Sequence, residues 1–185
     1  MARNKIRIGT RKSKLALVQA EMVAALLKKE VADIQIIPIT TTGDRLKEKN
    51  ISEEGGKVLF IKELEEALLK NDVDIAVHSY KDMPAKLPEG LVVKAVLPRE
   101  DARDALVSKG YKTLTSLPEN AVVGSSSIRR QALALRQRPD LKFVPFRGNV
   151  NTRLEKVEHG EVVATIIAMA GVKRINMLSE MVTPI

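Results

Sequence analysis

Apolar and polar positions alternate in short blocks from the start of the chain. Lys5–Gly9 alternates with a period of two and predicts a strand. Ser13 then precedes Leu15, Val18, Met22 and Leu26, a spacing that predicts one face of a helix capped by that serine. Ile34–Ile39 is rich in β-branched residues and predicts the next strand. Thr40–Asp44 reads as a polar turn, charged residues run on to Glu54, and Gly55-Gly56 closes that loop. Phe60, Leu64, Ala67 and Leu68 mark a second amphipathic helix. Val73–Val77 predicts a buried strand, His78–Gly90 a loop broken by Pro84 and Pro88, and Leu91–Leu97 a further strand.

The pattern restarts around Pro98. Ala121–Gly124, Leu141–Val144 and Val162–Ala168 predict strands. Between them, Ser127 caps a helix running to about Arg138, and Val150–Glu158 forms another. Strands alternating with helices predict parallel sheets covered on both faces. The expected fold class is therefore α/β, with two units, residues 1–98 and 99–185, and a cleft between them. Ligands in such folds bind beyond the C-terminal ends of strands. Those ends carry Arg11, His78–Asp82, Ser125–Arg130 and Arg147, which are expected to converge.

Composition narrows the chemistry. At 185 residues, 44% apolar and 29% charged, the chain reads as soluble and globular. It has no Cys, which excludes a disulfide framework, a thiolate metal site and a Cys nucleophile. That fits a reducing cytoplasm, the expected location. The first residues, MARNKIRIGTRKSK, lack the apolar core of a secretory signal. The longest nearly apolar run, Val162–Val172, is too short to span a bilayer. The net charge of +8 permits nucleic acid, an anionic membrane surface or an acidic small molecule as partner. Aromatic residues make up only 3% and Trp is absent, which disfavours base stacking. The expectation is an acidic small molecule, no nucleic acid, no membrane, and a monomer.

The charge is concentrated. Val123–Lys156 holds eight Lys/Arg against Asp140 and Glu155, a local charge of +6. Arg129 and Arg130 read either as part of a solvated basic helix face or as an anion site, and their place in the first turn of a predicted helix, where cations oppose the helix dipole, favours a bound anion. Arginine offers a planar fork that fits a carboxylate or a phosphate two bonds at a time. Arg11 and Ser13, at the opening of the first helix, read either as a capped helix with a surface arginine or as an anion site. Lys57 after Gly55-Gly56 reads as a solvated lysine or as a ligand contact, and the spacing is not that of a Walker loop. In DIAVHSYKDMP, Asp82 beside Lys81 is either a turn ion pair or a carboxylate placed to stabilise a cation or move a proton. A lone His78 is more often structural than catalytic, and His159 reads as surface. No His/Asp/Glu set has the spacing of metal ligands.

The ordered motifs RIGTRKSKLALVQA, TTGD, GGKVLFIKELEEALL, DIAVHSYKDMPAKLPEGL, REDARDALVS, VGSSSIRRQ, RPDLKF, FRGNVNTRLEK and AGVKRI resemble the porphobilinogen deaminase (hydroxymethylbilane synthase) family over about residues 5 to 178. The resemblance implies a transferase of haem and tetrapyrrole biosynthesis. Such an enzyme joins four porphobilinogen units into hydroxymethylbilane with release of ammonia, on a dipyrromethane cofactor. It implies periplasmic-binding-protein-like domains and ligands that are pyrrole polycarboxylates. It assigns catalysis to Asp82, and substrate or cofactor binding to Arg11, Ser13, Lys57, Ser79, Lys81, Ser125, Ser126, Ser127, Arg129, Arg130, Arg147, Gly148, Arg153 and Arg174. The chain departs from the family at Tyr80, usually Met, at Met83, usually Val, and at Glu53, a position that is often basic. The family's cofactor hangs on a Cys of a third, α+β domain, and the chain has no Cys. The chain is therefore expected to be a piece holding domain 2 and an incomplete domain 1 without its return segment and without domain 3, or a shortened protein acting with something else. The alternative reading is a non-catalytic polycarboxylate- or anion-binding module on the same fold.

Overall fold

Strand β1 (Lys5–Arg11) carries an alternating pattern that buries Ile8 completely. Helix α1 (Lys14–Leu27) follows and leads into strand β2 (Asp33–Ile39), which pairs with β1 in parallel from Lys5↔Asp33 to Arg11↔Ile39. The computed structural model describes residues 5–45 and 60–185, in two compact units, Met1–Pro98 and Arg99–Ile185. Lys57, Glu53 and Gly55-Gly56 lie outside the described residues.

In the first unit, a short helix α2 (Thr42–Arg45) stands where a polar turn was expected. Helix α3 (Lys62–Leu69) buries Leu64 and Ala67, and strand β3 (Ile75–Ala76) completes a parallel sheet of order β2-β1-β3. Three expectations are corrected here. Helix α1 does not bury the Leu15, Val18, Met22, Leu26 face. Met22 is 37% and Leu26 51% exposed, whereas Ala20 and Ala24 are buried against Ile8, with Val23 and Leu27 at the margin. The isoleucines of β1 and β2 already fill the space above the sheet, so the helix turns its small residues inward. The ladder of β3 covers two residues rather than Val73–Val77, and its residues are half-buried. Leu91–Leu97 is not a strand, and Val92, Val93 and Val96 are exposed, because the segment pairs with no strand among the described residues.

The second unit contains strand β4 (Asp104–Ser108), strand β5 (Val122–Gly124), helix α4 (Ile128–Gln137), strand β6 (Lys142–Val144), helix α5 (Val150–Glu158), strand β7 (Ala164–Ala168), helix α6 (Met169–Arg174) and strand β8 (Val182–Pro184). The sheet order is β6-β5-β7-β4-β8. Strands β5, β6 and β7 are parallel, but β4 runs antiparallel to both β7 and β8, so the sheet is mixed rather than parallel throughout. Sequence patterning also missed β4, α6 and β8. Both faces of the sheet are buried. Ala105, Val107 and Ile167 pack into one cluster, while Leu106 and Ile166 pack into the other, as the two-residue period of a strand requires.

Leu106 has no exposed surface, whereas Leu133 on α4 is 57% exposed. Leu106→Ala is expected to destabilise this unit by about 2–5 kcal/mol in urea unfolding. Leu133→Ala is expected to stay within about 0.5 kcal/mol of wild type. Equal costs for the two would contradict the assigned core.

Candidate functional site

In the first unit the parallel order places the loops after β1, β2 and β3 at one sheet edge. Arg11, the last residue of β1, reaches Asp44 of α2 with both arms of its guanidinium, Nε lying 3.3 Å from Oδ2 and Nη2 contacting Oδ1. The same guanidinium sits 4.4 Å from the centroid of the Phe60 ring. Gly43 makes that ring position possible, since a Cβ there would fall 2.4 Å from a ring carbon. Burial pushes the Asp44 carboxyl up, but Arg11 and the Thr41 donors outweigh it and hold it below the ordinary carboxylate value. Arg11 is therefore neither a free surface arginine nor an uncommitted anion receptor.

The segment after β3 forms a single 3-10 turn, Tyr80–Asp82, in which the Asp82 amide donates to the Ser79 carbonyl at 2.9 Å. Ser79 Oγ donates to Gln19 Oε1 of α1 at 2.9 Å, and Ser13 caps α1 by accepting from the Ala16 amide at 3.3 Å. These two serines set the position of the loops. Gln19, which is buried, had no mark in the sequence beyond its place in the helix. His78 is half-buried. Burial lowers its pKa, the Asp82 charge opposes that, and the Arg11 charge adds to it, with a net shift downward. Arg11, His78 and Asp82 thus share one electrostatic neighbourhood, with Lys81 exposed beside Asp82.

In the second unit, the loop after β5 is wired by its serines. Ser125 Oγ accepts from the Ser127 amide at 3.2 Å, and the Ser125 carbonyl accepts from Gln131 Nε2 at 2.7 Å. Ser126 Oγ donates to the Phe146 carbonyl at 3.1 Å and accepts from the Phe146 amide at 3.0 Å, tying this loop to the one after β6. Ser127 caps α4, accepting from the Arg130 amide at 3.5 Å. Gly124 has a Phe146 ring carbon 2.4 Å from where a Cβ would be. Gly148 has φ +117° with Thr152 at 2.9 Å from its virtual Cβ, so a side chain is strained there on both counts.

Arg129 and Arg130 share Asp104 at the first turn of α4, Arg130 Nη2 to Oδ1 at 2.7 Å and Arg129 Nη2 to Oδ2 at 3.3 Å. Burial pushes the Asp104 carboxyl up, and the two arginines, Arg130 foremost, bring it below its ordinary value. The anion expected at this helix end is thus partly supplied by the chain, from an aspartate that lies in the REDARDALVS motif but that neither charge nor spacing singled out. Arg153 donates through Nε to the Gly148 carbonyl at 2.9 Å. Burial, then the charge of Arg130, lower its pKa. Arg147 is half-buried, and the Nε atoms of Arg130 and Arg174 are buried without a hydrogen-bond partner.

The basic stretch is not one surface. Arg138 binds Asp140 through Nε at 2.7 Å and Nη2 at 2.6 Å, and also donates to the carbonyls of Leu114, Thr115, Leu117 and Pro118, which gives it a structural role. Lys156 pairs with Glu161 at 3.1 Å and lies over the Phe146 ring, while Arg136, Lys142 and His159 are exposed. Among the described residues, no group of three or more His, Cys, Asp or Glu could hold a metal ion, and no helix is long and apolar enough to cross a membrane.

Comparisons with known proteins point the same way. The family model described as porphobilinogen deaminase, dipyromethane cofactor binding domain, matches residues 6–185. The porphobilinogen deaminase of Rickettsia canadensis is 52% identical over 173 residues, covering 92% of this chain and 58% of that protein. That of Paracoccus denitrificans is 55% identical over 179 residues, covering 95% of this chain and 57% of that protein. The chain thus spans a little over half the length of these relatives. Among solved structures, an ancestral cationic amino acid solute binding protein aligns with a TM-score of 0.52 at 17% identity, covering 99% of this chain and 76% of that one. That likeness gives the fold, two α/β units of the periplasmic-binding-protein kind. With the family model matched from the first strand to the last residue and the HSYKD and SSSIRR loops on strand ends, the chain belongs to the porphobilinogen deaminase family.

Proposed function

We propose that this chain is the dipyrromethane-binding and catalytic portion of a porphobilinogen deaminase, acting on pyrroles that carry acetate and propionate groups. The observation that carries this reading is the cation excess at the β5–β7 edge, where Arg129 and Arg130 share the carboxylate of Asp104, Arg153 lies close enough to Arg130 for its charge to be felt, and the Nε–H of Arg130 is buried unpaired, as is that of Arg174 at the end of α6. Buried donors without acceptors are costly, and ligand carboxylates satisfy them with charge-assisted bonds. The residues present therefore fit dipyrromethane, which bears four carboxylates of the same kind. The covalent attachment is a different matter. The chain contains no Cys, so a thioether link needs a thiol from outside these 185 residues.

The proposed chemistry breaks the aminomethyl C–N bond of porphobilinogen. Ammonia leaves, and a cationic methylene pyrrole remains. The α-carbon of the next pyrrole attacks the methylene carbon, and the resulting cation loses its α-proton to restore the aromatic ring. When bound, dipyrromethane supplies the first such α-carbon. Asp82 is the residue for the two cations. Its carboxylate can accept pyrrole N–H bonds and stabilise positive charge in the ring. Burial lowers the His78 pKa, which disfavours a competing cation beside Asp82. The Arg11 guanidinium is neutralised by Asp44, and so opposes a ring cation less than a free arginine would. Arg129, Arg130, Arg147, Arg153 and Arg174 take the ring carboxylates, and Ser125, Ser126, Ser127 and Gly148 hold those arginines' loops in place.

Binding, chemistry and protonation give separate tests. Arg130→Ala is expected to weaken porphobilinogen binding about tenfold or more by calorimetry, consistent with loss of a charge-assisted bond. Arg136→Ala, at an exposed site on the last turn of α4, is expected to change it less than about twofold. Equal effects would remove the cluster as a specific site. In a protein that contains these residues together with an anchoring thiol, Asp82→Asn is expected to preserve binding and cut ammonia release by roughly 10²–10⁴-fold. Unchanged turnover would refute the role of Asp82. By NMR, His78 is expected to titrate below its ordinary value, and Asp82→Asn to lower its midpoint further, because the Asp82 charge opposes the shift. A rise in that variant would contradict the shared electrostatic neighbourhood.

A further inference from the structure

We propose that Asp104 is a positioning residue for anion recognition, holding Arg130, and through its second oxygen Arg129, in the orientation from which the pair receives a ligand carboxylate. The inference rests on the reading of this cluster as a carboxylate receptor. Topology brings the acid to the cations. Strands β5, β6 and β7 end at one sheet edge, and β4 begins there because it is antiparallel to β7, with Asp104 opposite Ala168. The backbone around Asp104 is fixed from both sides. Its carbonyl accepts from the Ile185 amide at 2.9 Å, and the Arg103 carbonyl accepts from the Met169 amide at 3.1 Å. A carboxylate on a strand tied in this way is a stiffer anchor than one on a loop.

The two arginines do not share Asp104 equally. Arg130 keeps 11% of its side-chain surface and Arg129 65%, and the shorter bond belongs to Arg130. The Asp104–Arg130 contact is thus made largely out of water, where losing one partner of a charge pair is costly. Without Asp104, neighbouring guanidinium groups at a helix N-terminus would repel each other and oppose the helix dipole. Asp104 engages Nη2 of Arg130 and leaves its Nε–H buried and unpaired, so the fork is ordered without being used up. One carboxylate shared by Arg129 and Arg130, with the charge of Arg153 felt alongside Arg130, also leaves excess positive charge for a ligand.

The test combines calorimetry of porphobilinogen binding with the NMR signal of the Arg130 Nε–H in wild type, Asp104→Asn, Asp104→Glu, Arg130→Ala and the Asp104→Asn/Arg130→Ala double variant. Asp104→Asn is expected to weaken binding roughly tenfold, and to add less than about twofold in the Arg130→Ala background. Asp104→Glu keeps the charge but displaces it, and is expected to bind between wild type and Asp104→Asn. The Arg130 Nε–H resonance is expected to be sharp and slow to exchange in wild type and broadened in Asp104→Asn. Wild-type or tighter binding in folded Asp104→Asn, or full additivity in the double variant, overturns the proposal and leaves Asp104 a counter-ion. Should Asp104→Asn not fold, wild-type binding by Asp104→Glu overturns it instead, and weaker binding supports it. Should wild type not bind porphobilinogen, the functional reading falls separately, and the resonance decides this inference. A sharp signal retained in Asp104→Asn then refutes the positioning role, and its loss supports it.

Discussion

Cations gathered at the end of a sheet must be neutralised in part from within, or the fold that gathers them will not hold. Each unit meets this constraint with one aspartate. Asp44 takes both arms of Arg11, and Asp104 is divided between Arg130 and Arg129. Both carboxyls are partly withdrawn from water, which on its own would raise their pKa, and both are nevertheless lowered by the arginines. The charge pairing therefore prevails over desolvation at each edge. Much of the remaining arrangement follows from having to place those two acids.

Packing supports the same edges by a shared device. Gly43 lies under the Phe60 ring and Gly124 under the Phe146 ring, each too close for any Cβ. A cation then lies over each ring, Arg11 at 4.4 Å from the Phe60 centroid and Lys156 at 5.5 Å from that of Phe146. The rings close the loops over the sheet and give the long basic side chains an apolar surface to lie on. With only 3% aromatic residues in the chain, two of its three Phe are used in this way.

The serines belong to this support. Ser126 bonds both the amide and the carbonyl of Phe146, and Ser125 and Ser127 order the first turn of α4. They hold the backbone of the arginines, whose side chains carry the local charge. Beside Asp82, burial disfavours the charged form of His78.

Local pattern determined a good deal of this protein. The strands at Lys5, Ile34, Val122, Lys142 and Ala164, the helices capped by Ser13 and Ser127, and the loops of basic residues after them were legible in the sequence, because each depends on neighbours a few positions apart. The ordered motifs were sufficient to indicate the family. Only tertiary structure decided which arginines matter together. Arg138 and Arg130 look alike in the sequence, yet one clamps Asp140 and four carbonyls while the other shares Asp104, and both partners' geometry is set by folding. The antiparallel entry of β4 was equally hidden, since five residues with no turn signal can pair in either direction. Leu91–Leu97 shows the converse, a sequence with strand character that is no strand because it finds no partner among the described residues. Strand pairing and ion pairing are non-local, so a single sequence records the residues that can take part but not the partners they receive.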